Sequence, residues 1–216
     1  INTPQLAEQI LEDDKVDMVV IGRGQLVDPD FCNKAEAGKT EEIDYCVGCN
    51  QGCYDGFESK DSPCITCLRN PAVGREKECE LIPAEKPEKV LIAGGGIGGL
   101  EAAIILKKRG HNPILCEATD TLGGQFLTAG EAPRKAEMKA AVLSMAEKAK
   151  RLGVDIRMNT KVTPEMIADI KPHTFINAIG AAPIVPPIPG NDKAFVVDSH
   201  AVLNGEAKAE GNVVVI

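Results

Sequence analysis

The sequence predicts an α/β protein built on a Rossmann-like nucleotide-binding domain. Three observations predict it. A short apolar strand over residues 89–93 runs straight into Gly94-Gly95-Gly96-Ile97-Gly98-Gly99. Leu100, Ala103, Ile104 and Leu106 then recur at helical spacing. A second apolar run, residues 113–116, closes on an acid, Glu117. Strand, glycine turn, helix and strand in that order make a βαβ unit, which implies a parallel sheet.

At the start of the chain, Thr3 is placed to cap a helix with Pro4 at its first position, and Leu6, Ile10 and Leu11 supply an apolar face. Residues 17–21 (Asp-Met-Val-Val-Ile) read as a strand of the kind buried on both faces in a parallel sheet. Gly22-Arg23-Gly24 follows and reads in two ways. Backbone N–H groups freed by glycine, beside an arginine, suit a phosphate. The same residues also make an ordinary strand-to-loop turn with a surface arginine. This helix and strand are half of a βαβ unit, too small to form a core alone.

Residues 33–87 show little apolar periodicity and hold Pro63, Pro71, Pro83 and Pro87. They are expected to be a linker with too little apolar surface to order itself, to which a bound metal adds the missing free energy. Beyond Glu117, Met138, Ala141, Val142, Met145, Ala149 and Leu152 share one face of a long helix that Gly153 stops. Val154, Ile156 and Met158 alternate as a strand, and Thr163 with Pro164 opens a short helix. Residues 175–179 are a further strand ending at Gly180, and residues 181–190 carry four prolines in a loop. The last residues, 213–216, read as another apolar strand. With Ile1 in first place, that run gives the expectation that the chain is a piece of a longer one.

Of 216 residues, 44% are hydrophobic and 26% charged, which fits one or two globular domains. A net charge of −8 argues against nucleic acid and anionic membrane surfaces as partners. Apolar runs fall short of a membrane span, with Glu101 breaking the longest. Eight cysteines, with two C-x-x-C pairs among them, in a chain of this length point to reduced, metal-bound thiolates in a cytoplasm rather than a disulfide framework.

Two motifs carry chemistry. Gly94, Gly96 and Gly99 fit G-x-G-x-x-G, and Glu117 lies 18 residues beyond Gly99. In a dinucleotide site Gly94 makes the tight turn, Gly96 lets backbone approach the pyrophosphate, and Gly99 lets helix and strand pack closely. The helix N-terminus faces the anion and Glu117 accepts from the adenosine ribose. The motif does not separate FAD from NAD. The second motif is the cysteine cluster. Cys46, Cys49, Cys64 and Cys67 have nearly the spacing of a zinc ribbon. Cys46, Cys49 and Cys53 with a fourth cysteine suit an iron–sulfur cluster. Five thiols are in range for four positions, and a zinc ribbon has no use for Cys53. Cys116 reads as a small buried strand residue.

The succession Val20-Ile21-Gly22-Arg23, Asp28-Pro29-Asp30-Phe31, Cys46-Val-Gly-Cys49-Asn-Gln-Gly-Cys53, Cys67-Leu-Arg-Asn-Pro71 and the Gly94 loop resembles one family over nearly the whole chain. That family is the multidomain old-yellow-enzyme-like flavoproteins, which include 2,4-dienoyl-CoA reductase, enoate reductases, bile-acid-inducible flavin oxidoreductases and trimethylamine dehydrogenase. Leu122-Gly123-Gly124-Gln125 and Ala178-Ile179-Gly180 add to the match.

The resemblance implies three segments: 1–32 as the end of an FMN-binding (β/α)8 barrel, 33–87 as a [4Fe-4S] linker, and 88–216 as an FAD-binding Rossmann-like domain cut at the start of an NAD(P)H domain. It implies Cys46, Cys49, Cys53 and Cys67 as cluster ligands, with Cys64 spare. It turns Gly22 and Arg23 toward FMN phosphate, and sets Gly124, Gln125, Val162 and Gly180 beside Glu117 around FAD, or ADP in its place. The implied activity is electron transfer from NAD(P)H through FAD and the cluster to FMN, which reduces an activated alkene. An amine dehydrogenase of the trimethylamine dehydrogenase type is the variant within the family. A zinc-stabilised dinucleotide-binding module is the reading from another class. The substrate would bind the barrel, whose catalytic residues lie outside this chain. The oligomeric state stays open, a homo-oligomer included.

Overall fold

The computed structural model describes residues 1–14, 16–61 and 64–216, so Pro63 lies outside the described residues. The chain divides into two compact units, Ile1–Glu85 with Lys108–Gly110, and Lys86–Lys107 with His111–Ile216.

The second unit carries a parallel sheet of β1 (Lys89–Ala93), β2 (Asn112–Cys116), β3 (Asp155–Arg157) and β4 (Thr174–Asn177), in the order β3-β2-β1-β4. Alternation along the strands divides the apolar side chains between two faces. Val90, Ile92 and Leu115 point to one face, where Leu100, Ala103 and Ile104 of α5 (Ile97–Lys108) join them. Val142, Met145, Ala146 and Ala149 of α7 (Ala136–Arg151) complete that core. Leu91, Ile114 and Cys116 point the other way, against Val162 and Met166, Ile167 and Ile170 of α8 (Pro164–Ile170). Thr163 caps α8, its hydroxyl accepting from the Met166 N–H at 3.3 Å, with Pro164 inside the first turn. Helix α7 ends as its sequence predicts, with Gly153 at φ 73° just past Leu152. Short helices α6 (Gln125–Gly130) and α9 (Ser199–Leu203) complete the unit.

Strand β1 pairs with β2 on one side and with β4 on the other. The chain therefore leaves β1 in opposite directions, and the crevice this opens lies at the strand's C-terminal end, where the Gly94–Gly99 turn sits.

In the first unit, α1 (Pro4–Glu12) forms as expected, its Thr3 hydroxyl accepting from the Leu6 N–H at 3.2 Å. Leu6 is nonetheless exposed, and Ala7 is the residue that α1 buries. Residues 17–21 are not a strand: Met18 is 83% and Val20 84% exposed. A strand exists only where its backbone groups find partners, and β1 to β4 all lie in the other unit. Gly22-Arg23-Gly24 is not an open turn but the start of α2 (Gly22–Val27). The run 213–216 is likewise an exposed, unpaired segment.

Residues 33–87 carry more order than their patterning predicts. Helix α3 (Phe31–Glu36), a 3-10 turn at Thr40–Glu42 and α4 (Tyr54–Glu58) form along or at the start of this stretch. Ile43 and Val73 are buried, as is Phe31, which meets Tyr45 edge-on at 6.3 Å. Polar side chains bound to backbone supply what periodicity does not. The Asp28 carboxylate, 4% exposed, accepts from the Asp44 N–H at 2.9 Å, the Asp30 N–H at 3.1 Å and the Lys34 ammonium at 2.5 Å. Asn70 donates to the Leu26 carbonyl at 2.9 Å, and Asn2 exchanges two bonds with the backbone of Cys46.

Gly98 and Gly99 test the packing at the crevice. A Cβ on Gly99 would lie 1.8 Å from the Gly94 carbonyl oxygen, while one on Gly98 meets nothing within 4 Å. Gly99→Ala is expected to cost about 3 kcal/mol through overpacking against backbone. Gly98→Ala is expected to stabilise by about 0.5 kcal/mol by restricting the unfolded chain. Chemical denaturation midpoints of the two variants check the contrast.

Candidate functional sites: a glycine crevice and a cysteine pocket

The crevice is built from two chain reversals that only glycine permits, at Gly94 and at Gly123-Gly124. Gly94 has φ 105°, and a Cβ there would lie 2.3 Å from the Ala178 carbonyl oxygen at the end of β4. Gly123 and Gly124 have φ 122° and 53°; the Gly123 N–H donates to the Gly95 carbonyl at 2.9 Å. A Cβ on Gly124 would meet the Gly96 Cα at 3.2 Å. Gly96 itself faces open space: nothing lies within 4 Å of where its Cβ would be. No protein atom requires glycine at that position, which fits a turn kept bare for an incoming anion.

Glu117 sits where the sequence puts it, with its carboxylate already positioned. One oxygen accepts from the Gly95 N–H at 2.7 Å and the other from the Thr119 N–H at 2.8 Å and hydroxyl at 2.9 Å. Gly95 is a site residue that motif reading missed: a Cβ there would crowd Leu122 at 2.5 Å and the Glu117 carboxylate at 3.0 Å. Gln125 opens α6 and its side chain donates to the Ala181 carbonyl at 2.5 Å, linking the Gly123-Gly124 reversal to the loop after β4. Gly180 lies in that loop at φ 77°. The Val162 side chain packs against the core below β2. Cys116 is buried in β2, and burial pushes its thiol pKa up, so it is a core residue and not a nucleophile.

The second site lies in the first unit. Cys46, Cys49, Cys53 and Cys67 line one pocket with Arg23, Asn50 and Arg69, among others. Cys64 is exposed and does not line it. The loop from Cys46 to Cys53 folds back by placing Gly48, Asn50 and Gly52 at φ 66°, 61° and 81°. The Gly48 N–H donates to the Cys46 sulfur at 3.3 Å. Such a loop turns backbone N–H groups toward anions. Cys67 reaches the pocket because its neighbour Thr66 docks on Gly52: the Thr66 N–H donates to the Gly52 carbonyl at 2.9 Å. A Cβ on Gly52 would lie 2.3 Å from the Thr66 hydroxyl. Arg23 donates from Nη1 to Asn50 Oδ1 at 2.5 Å, so the arginine singled out for phosphate is engaged at the cysteine loop. Gly22 has open space around it. Among the described residues, no three His, Cys, Asp or Glu side chains gather as a metal ion requires. Mononuclear zinc needs thiolates about 2.3 Å from one centre, whereas a cluster takes one thiolate at each of several irons.

A Rossmann-like α/β unit preceded by a cysteine-pocket unit is the class that fold and sites define. The NAD(P)-binding Rossmann-like domain family matches residues 92–144. The chain is 39% identical over 214 residues to the bilirubin reductase of Mediterraneibacter gnavus (strain CC55_001C), covering 99% of this chain and 33% of that protein. It is 38% identical over 221 residues to the metal reductase of Desulforamulus reducens (strain ATCC BAA-1160 / DSM 100696 / MI-1), covering 100% and 33%. A solved structure of 2-naphthoyl-CoA reductase with 2-naphthoyl-CoA superposes with a TM-score of 0.89 at 30% identity, covering 96% of this chain and 31% of that one. These matches are the ones expected of a fragment of an old-yellow-enzyme-like oxidoreductase. The chain spans about a third of the length of the curated relatives it matches. Among the described residues no helix is long and apolar enough to cross a membrane.

Gly48 and Gly52 separate loop strain from loop docking. Gly48→Ala suffers only its positive φ and is expected to cost about 1 kcal/mol. Gly52→Ala adds a clash with Thr66 and is expected to cost about 3 kcal/mol. Denaturation of the two variants, followed by the reactivity of Cys67 toward a thiol reagent, checks that Gly52 seats Cys67.

Proposed function

We propose that this chain is the iron–sulfur and dinucleotide-binding portion of an NAD(P)H-dependent flavin oxidoreductase. When bound, the cofactors would supply two-electron chemistry at FAD and FMN, linked by a [4Fe-4S] cluster, for reduction of an activated alkene. In this reading residues 1–32 close an FMN-binding barrel, 33–87 hold the cluster and 88–216 bind FAD.

One observation carries the proposal: of the five closely spaced thiols, Cys46, Cys49, Cys53 and Cys67 line one pocket and Cys64 stays outside it. The donor set fits a cluster. Four cysteines line the pocket, and the Gly48 N–H already donates to the sulfur of Cys46. The crevice residues fit an adenine dinucleotide. Gly94 and Gly124 hold the backbone so that Gly96 stays bare toward the pyrophosphate, and α5 starts one residue later. Glu117 keeps lone pairs beyond its three bonds to Gly95 and Thr119, and these would accept from ribose hydroxyls. Gly22 at the N-terminus of α2, with the Arg23 donors other than the Nη1–H bound to Asn50, would contact FMN phosphate. The names of the relatives, a bilirubin reductase and a 2-naphthoyl-CoA reductase among them, support a reductase of unsaturated organic substrates.

Anaerobic purification of the full polypeptide tests this. The expected sample is brown, with about four irons and four acid-labile sulfides per chain. Cys67→Ser is expected to lose most of that iron and Cys64→Ser to keep it. A colourless protein with one zinc per chain would sink the proposal. Gly96→Ala is expected to leave the denaturation midpoint unchanged while lowering FAD content.

A further inference from the structure

Arg69 lies two residues past Cys67, inside the segment that brings this cysteine to the pocket. Its side chain is 8% exposed and lines the pocket with the four cysteines. One guanidinium nitrogen, Nη2, donates to Asp44 Oδ1 at 3.1 Å. Asp44 in turn donates its backbone N–H to the buried Asp28 carboxylate, so Arg69 is anchored to the hydrogen-bonded centre of the unit. The Nε–H has no partner. Among the described residues it is the only buried side-chain nitrogen or oxygen without one.

A buried donor left unmade costs about 1–3 kcal/mol, more when it belongs to a charged group. A cation held in such a place without a full set of acceptors calls for an explanation. The ion pair to Asp44 does not provide it, because lysine could make the same pair. What distinguishes arginine is the second, rigidly placed donor. The side-chain acceptors that share its pocket are the four cysteine sulfurs and the Asn50 and Gln51 amide oxygens, and Asn50 already takes the Arg23 bond. Of these, a thiolate or sulfide matches the charge of the guanidinium and accepts a charge-assisted N–H bond.

We infer that Arg69 Nε–H donates to sulfur at the cysteine pocket, making Arg69 a positioning residue that sets the reduction potential of the group bound there. The inference rests on the iron–sulfur reading above. Hydrogen bonds to cluster sulfurs stabilise the more negative, reduced state and so raise the potential. The fixed positive charge of the guanidinium acts in the same direction. Arg69 therefore does two separable things: Nη2 holds the loop through Asp44, and Nε acts on the cluster.

The test uses the full polypeptide, purified anaerobically with its cluster. Arg69→Lys keeps the cation for Asp44 and removes the Nε donor. Asp44→Asn breaks the ion pair and leaves Nε in place. EPR-monitored redox titration is expected to show full iron and sulfide content in Arg69→Lys with a lower midpoint potential, and no such fall in Asp44→Asn. An unchanged potential in a fully loaded Arg69→Lys protein would show that Arg69 only braces the loop.

Should Arg69→Lys fail to assemble the cluster, the unsubstituted arginine answers the question. Protein labelled with 15N at arginine Nε is expected to show a 15N hyperfine coupling in the reduced cluster signal, and this coupling should survive Arg23→Lys. Its absence overturns the inference while the cluster signal itself upholds the functional reading. A zinc protein without sulfide overturns both.

Discussion

The second unit depends on one contact between two pieces of backbone. The Gly94 carbonyl occupies the place a side chain on Gly99 would take, so α5 starts hard against the end of β1. The Ala178 carbonyl crowds Gly94 from the β4 side in the same way. Strand, helix and neighbouring strand thus meet with no side chain between them. That closeness leaves Gly96 facing open space, and Gly123-Gly124 close the turn from a third side. The crevice is therefore set by backbone, and its acidic wall, Glu117, is fixed by hydrogen bonds to that same backbone.

The first unit solves the opposite problem. It has few apolar residues to bury, and it orders its loops by placing Asp28, Asn2, Asn70 and Arg69 in bonds between distant stretches. Each of these groups is costly when buried alone and acceptable when paired. The arrangement brings four thiols to one pocket, where mutual proximity of sulfurs would become strongly unfavourable once they ionise without a cation. A metal bound by these thiols would couple its binding to the folding of the unit. The Gly52–Thr66 docking carries Cys67 to the pocket and leaves Cys64 outside.

Legibility differed between the two units for a physical reason. The apolar run through Val90, Leu91 and Ile92 and the helical repeat through Val142, Met145 and Ala149 report burial, and both survived into the structure. Residues 17–21 and 213–216 carry the same apolar signal but have no strand beside them, because pattern records a tendency to be buried and not the presence of a partner. Residues 33–87 looked unstructured because their order comes from single polar side chains, which leave no period to detect. Gly95, Gly52, Thr66 and Arg69 were invisible for a related reason: each matters through a contact with a residue distant in sequence or through the space around it.

By itself the sequence determined the βαβ order, the glycine turn between β1 and α5, the acid at the end of β2 and the candidate metal-binding residue types, since these rest on local spacing and backbone freedom. Only the tertiary structure decided which side of each strand is core, that Gly22-Arg23-Gly24 begins a helix and that Arg23 engages the cysteine loop. Those outcomes depend on long-range hydrogen bonds and on excluded volume between distant backbones, and neither is written in the spacing of residues along the chain.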